Sequence, residues 1–229
     1  MKAAWTAAVA TCLLASCKAI PDLAAEQGTL PPIPGQPATM LGLETDGWPI
    51  TLESGGDGTT HGVIAVQATE LGWREHTPWA IMELRRTRDG SIVKSQQQDL
   101  LEQVTVFFDP PLPVLPASLA AADSLTYEAT GSMRAYRMGA ESQSPLVTGT
   151  WTIHLERGKD IDGPDGPVAR LSSVFGADLG FSSVEGRTEW MLDLTRGPLY
   201  NQEFMRRRVF GFPSDRLHAW TRVDEHPAE

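Results

Sequence analysis

Three stretches of the chain alternate apolar and polar residues without a break. In Leu125–Ala135, the residues Leu125, Tyr127, Ala129, Gly131, Met133 and Ala135 share one face, opposite Thr126, Glu128, Thr130, Ser132 and Arg134. In Val147–Glu156, Val147, Gly149, Trp151, Ile153 and Leu155 oppose Thr148, Thr150, Thr152, His154 and Glu156. In Val184–Leu194, Val184, Gly186, Thr188, Trp190, Leu192 and Leu194 oppose Glu185, Arg187, Glu189, Met191 and Asp193. Successive side chains of a strand point to opposite faces, so a period of two predicts strands with one buried and one wet face. That is the signature of an antiparallel sheet. Each run covers about ten residues, longer than the usual five or six.

Weaker signals extend the pattern. Pro49–Leu52 and Val63–Thr69 read as strands, with a break at Gly55–Gly58. Trp79–Arg88 and Ser91–Ser95 flank Asp89-Gly90, a two-residue hairpin signal. Val104, Val106 and Phe108 face one way. Pro110, Pro111, Pro113 and Pro116 are expected to interrupt the sheet, since proline cannot donate to a ladder. Pro116 can open a short helix through Ala122. Val168–Phe175, Glu203–Phe210 and Leu217–Val223 read as further strands.

Gly131, Gly149 and Gly186 each fall on the apolar face of a long strand. Glycine there marks a bend or a close approach. The expected fold is all-β with a minor helix: a long-stranded antiparallel curved sheet, half-barrel or barrel, in one domain spanning 48–225. A β-sandwich is the alternative. A small closed barrel fills with side chains, so the interior is expected to be filled. Trp151, Trp190 and Tyr127 are the ligand-facing candidates if it holds a pocket instead.

Ahead of the domain the composition changes. Lys2 precedes an apolar run, Ala3–Leu14, too short for a membrane span of about 20 residues. Leu14-Ala15-Ser16-Cys17 closes it. Together these resemble the signal peptide and lipobox of bacterial lipoproteins. The resemblance implies that residues 1–16 are removed and that the Cys17 thiol carries acyl chains. Two or more chains anchor a protein stably where one does not. Residues 17–47 would then be a lipidated Cys17 and a tether, extended by Pro21, Pro31, Pro32, Pro34 and Pro37. The implied location is the bacterial cell envelope, on a membrane and facing the periplasm or the exterior.

Charge and cysteine content narrow the function. The net charge of −10 argues against nucleic acid as a partner. The two cysteines are Cys12 and Cys17, so the domain has none to pair. The five histidines, His61, His76, His154, His218 and His226, form no metal motif. Asp160–Gly166 resembles the start of a calcium loop, but Pro164 stands at a ligand position and Leu171 where the closing glutamate belongs. It reads as a turn. No G-x-S-x-G elbow or phosphate loop is present. No cofactor and no catalytic residues are expected, and an enzyme is disfavoured. Arg206-Arg207-Arg208 is a basic patch on an acidic chain, usually the mark of a solvated or salt-bridged face and less often of a site for a lipid phosphate or a partner's acidic surface.

The layout is similar to that of the lipoprotein-sorting carriers LolA and LolB, in architecture only. It implies a membrane-anchored lipoprotein that binds a hydrophobic ligand or lipid in a curved sheet. The alternative is a structural or envelope-assembly lipoprotein acting through protein–protein contacts.

Overall fold

A computed structural model describes residues 36–54, 58–122, 124–163 and 166–223. The lipobox, Cys17 and most of the expected tether lie outside the described residues. The elements are α1 (Pro37–Met40), β1 (Gly47–Ser54), β2 (Gly58–Thr69), β3 (Gly72–His76), β4 (Ala80–Arg86), β5 (Ile92–Asp99) and β6 (Val104–Leu115). There follow α2 (Ala117–Ala120), β7 (Thr126–Arg137), β8 (Val147–Arg157), β9 (Ile161–Gly163), β10 (Gly166–Asp178), β11 (Ser182–Asp193), β12 (Gly197–Val209) and β13 (Phe212–Arg222).

Every strand pairs antiparallel with its neighbour, and β13 returns to β1. The sheet is therefore a closed barrel of twelve strands, with β9 as an extra strand on β10. It is neither a half-barrel nor a sandwich. Closure leaves no long free edge to template aggregation.

Facing follows the alternation. Trp151, Ile153 and Leu155 of β8 are buried, while Thr148, Thr150, Thr152 and Glu156 are exposed. On β11, Glu185, Arg187 and Glu189 face solvent beside the exposed Arg208 of β12. A polar outer wall around an apolar lumen is the reverse of a membrane-spanning barrel.

Two short helices close one end, the floor. Residues 36–47 do not extend away as a tether. Ala38, Met40, Leu41 and Leu43 are buried in the core, and Glu44 meets Arg86 at the end of β4 at 3.6 Å. The folded unit therefore begins ahead of Trp48. α2 forms where the sequence expects a helix, and Leu119 is fully buried. Arg157 reaches from β8 to donate to the carbonyls of Leu119 and Ala120, both at 2.6 Å, and also pairs with Asp160. These bonds add a charged donor to the carbonyls at the end of α2, of which that of Leu119 also accepts from Ala122 N–H at 3.2 Å.

Pro116 ends β6 as expected, but the other three prolines do not interrupt the sheet. Pro110, Pro111 and Pro113 lie within β6. Lys94 of β5 pairs with Leu112 and Gln96 with Phe107, so residues 108–111 bulge out of the β5 ladder. Most of these prolines thus sit where β5 asks for no donor. β3 carried no clear sequence signal. β9 pairs antiparallel with the start of β10, Gly163 opposite Gly166, on either side of the expected turn, whose residues 164 and 165 lie outside the described residues.

The three glycines differ. A side chain at Gly131 would meet the Trp151 ring at 2.5 Å, and one at Gly149 would overlap the carbonyl oxygen of Asp178. At Gly186 the nearest atom, Cβ of Phe175, stands 3.6 Å away, an ordinary contact. Gly149→Val should therefore cost about 3 kcal/mol. Thr150→Val, on the outer face, should change stability by less than about 0.5 kcal/mol. Denaturant titration checks both; equal effects would contradict the assigned facing.

Candidate functional site

The interior is only partly filled. Around α1 the core is packed: Trp48 and Trp220 lie 6.2 Å apart between ring centroids, and Ile50 and Ile64 are fully buried in the same cluster. On the side away from β1 and β2, walled by β3–β8 and β10–β13, the lumen holds a cavity of about 340 Å³. Its apolar lining includes Met133, Ile153, Phe175, Val184 and Trp190. It lies near the lower end of the range for ligand cavities, about 300–1,000 Å³.

The ligand-facing candidates separate in the structure. Trp190 lines the cavity and packs edge-on against Trp220. Trp151 does not line it. That ring has no exposed surface, lies over Gly131 and donates its N–H to the Ser132 carbonyl at 2.9 Å. It is a fixed part of the core. Tyr127 is half-buried near the floor and also stands outside the cavity lining. Burial, with a smaller contribution from Asp89, raises its hydroxyl pKa.

Polar groups project into this apolar space. Glu75 of β3 is buried, and burial raises its carboxyl pKa to about 7 against the opposing pull of Lys94. Lys94 of β5 donates to Gln97 Oε1 at 2.5 Å and lies 5.5 Å from the Phe108 ring centroid. Burial lowers its pKa, while Glu203 and Glu75 oppose that shift. Asn201 of β12 also lines the cavity, 3 % exposed, and its Nδ2 makes no hydrogen bond within the protein. A buried amide donor without a partner costs about 1–3 kcal/mol. These groups can position the polar end of a ligand whose body is apolar.

The other end of the barrel is the mouth, narrowed by contacts across the lumen. Four strands separate β13 from β5 along the shorter arc of the ring. Yet Arg216 of β13 pairs with Asp99 of β5 at 3.2 Å and with Glu102. Arg207 of β12 reaches Glu102 at 3.5 Å. Beside them Trp79 stacks on His218, 4.8 Å apart and 6° from parallel. Burial, the largest cause, lowers the His218 pKa. Leu146, Leu179 and Val184 line the cavity toward the same end.

Sequence reasoning missed Glu75, Lys94 and Asn201. Each stands beside polar neighbours, Glu75 between Arg74 and His76, Lys94 before Ser95 and Asn201 before Gln202, and only the closed ring brings β3, β5 and β12 around one space. No group of three or more metal-ligating side chains occurs among the described residues. No family model matches the chain, and no curated protein or solved structure matches it either.

The raised pKa of Glu75 gives a pH prediction. Unfolded, this carboxyl releases its proton near 4.5; folded, it keeps it to about 7. The native state then binds more protons than the unfolded state, so this group makes stability fall as pH rises through that window. Glu75→Gln should remove this fall and stabilise the protein at pH 8, on the order of 2 kcal/mol. Thermal melts from pH 4.5 to 8 test it. A variant less stable than wild type at pH 8 would mean that the ionised carboxylate is favourably paired with Lys94.

Proposed function

We propose that this chain is a bacterial envelope lipoprotein, anchored through acyl chains on Cys17, whose barrel takes up one amphipathic molecule. The cavity carries the reading. It is apolar along its walls, open at one end and closed by α1 and α2 at the other. Glu75, Lys94 and the unpartnered Asn201 amide supply a polar terminus inside it. A ligand with an apolar body and one hydrogen-bonding head meets both requirements. Apolar burial supplies the affinity, and the polar groups fix orientation. Its modest volume suits one small amphiphile or a single chain. The structural alternative calls for a filled interior, and only the α1 side is filled.

The direct test is titration of the purified protein with a fatty acid that displaces a polarity-sensitive dye, followed by tryptophan emission. Saturable uptake is expected. Gly186→Leu places a side chain in the cavity at a position where a Cβ meets only ordinary contacts. It should keep the fold and weaken uptake about tenfold or more, since a filled pocket forfeits the burial of several methylenes. No saturable binding in the wild type, or equal binding in the variant, overturns the reading. The anchor is tested separately: the mass of the N-terminal peptide should place acyl chains on Cys17, and an unmodified Cys17 would remove that part.

A further inference from the structure

The loops at the mouth carry an unusual set of exposed side chains. Leu101 lies between β5 and β6, Leu146 between β7 and β8, and Phe181 between β10 and β11. Phe210 and Phe212 form the tip of the β12–β13 hairpin. These five are 50–78 % exposed, and the hairpin pair are the most exposed large apolar residues among those described. They sit on four neighbouring loops of the mouth, and Leu146 also lines the cavity; the other exposed large apolar residues, among them Val63, Leu71 and Leu125, are spread over the wall and the floor.

The hairpin tip is held in a costly conformation. Phe210 has φ +49° and Gly211 φ +85°, between the paired Val209 and Phe212. This two-residue turn favours Asn or Asp at its first position. A bulky residue at positive φ is an outlier. Here it places an aromatic ring outward. The tip is braced: Phe210 N–H donates to the Phe181 carbonyl at 3.1 Å, and the two rings stack at 5.7 Å.

Directly behind the tip, residues 206–216 carry Arg206, Arg207, Arg208 and Arg216 against Asp215 alone. This is a local excess of three positive charges on a chain of net charge −10. Arg206 pairs with Asp215, Arg207 with Glu102, and Arg216 with Asp99 and Glu102, so with these mouth carboxylates counted the local excess is one positive charge, and Arg208 is exposed to solvent.

We infer that the mouth docks on a lipid bilayer with anionic head groups, its loop tips in the interface and the hairpin arginines at the phosphates. Separate apolar tips on different loops suit a fluid partner that receives each side chain independently. Aromatic and leucine side chains entering an interface beside basic residues are the recognised physics of such binding. Each arginine near an anionic surface adds attraction that salt weakens. The docked mouth would open the cavity toward the acyl region. This inference goes beyond uptake itself, and the two fail separately.

The test uses the full chain carrying Cys12→Ser and Cys17→Ser, so that the N-terminal segment is the same in every protein compared. Phe212→Cys, labelled with an environment-sensitive dye, reports on the tip. Val63→Cys, on the exposed outer wall of β2, is the control. Vesicles are equal parts phosphatidylglycerol and phosphatidylcholine, or phosphatidylcholine alone. A blue shift at 212 but not at 63, stronger with phosphatidylglycerol and reduced by salt, is expected. In sedimentation, Phe210→Ser with Phe212→Ser should lower the vesicle-bound fraction, by about tenfold in partition per phenylalanine. No shift at 212, an equal shift at 63, or binding unchanged by the double substitution overturns the inference. So does a 212 label already shielded without vesicles in a protein that sediments as a dimer, which would make a second copy the occupant. Dye uptake from solution that persists without vesicle docking would leave the ligand reading intact.

Discussion

A ring of twelve strands encloses more space than its inward side chains can fill. Around eight strands the interior is just wide enough to be packed. Here the excess is resolved in three ways. α1 and α2 fold under the floor, with Leu43 and Leu119 buried. Arg216 and Arg207 cross to Asp99 and Glu102 at the mouth and shorten one diameter. The remainder is left as the cavity. The ring size follows from closure, since β10 pairs with β11 and β13 with β1, and β9 only adds to β10 outside the ring.

That constraint explains why charged groups stand inside an apolar lumen. Lys94 donates to Gln97, and its pKa is set by burial against the pull of Glu75 and Glu203. The raised Glu75 pKa expresses the same cost from the acidic side. Burying ionisable groups rarely adds stability when apolar residues could occupy the same volume. Their presence beside an unpartnered Asn201 amide fits a space shaped for a molecule rather than for packing.

Much of this was legible in the sequence, and the limits are physical. Alternation in β7, β8 and β11 gave the facing of Trp151, Ile153 and Trp190, because one wet and one dry face leave a period of two. It could not give closure, since the β10–β11 and β13–β1 ladders depend on curvature summed over the ring. β3 is short and carries Arg74 and Glu75, so it showed no clear pattern, and the site's carboxylate was missed with it. The prolines of β6 misled because a bulge lets a strand carry residues that cannot donate. Trp151 and Trp190 looked alike, each near a glycine on an inner face. Gly131 across the ladder seats Trp151 in the wall, while Trp190 faces the space that remains.

The claim that the barrel is a container is tested most directly by native mass spectrometry of the protein isolated from the cells that make it. The account predicts a population heavier by one small amphipathic molecule, held without a covalent bond and lost on denaturation. A mass unchanged by denaturation in every such preparation, with no adduct after incubation with fatty acid, would contradict it.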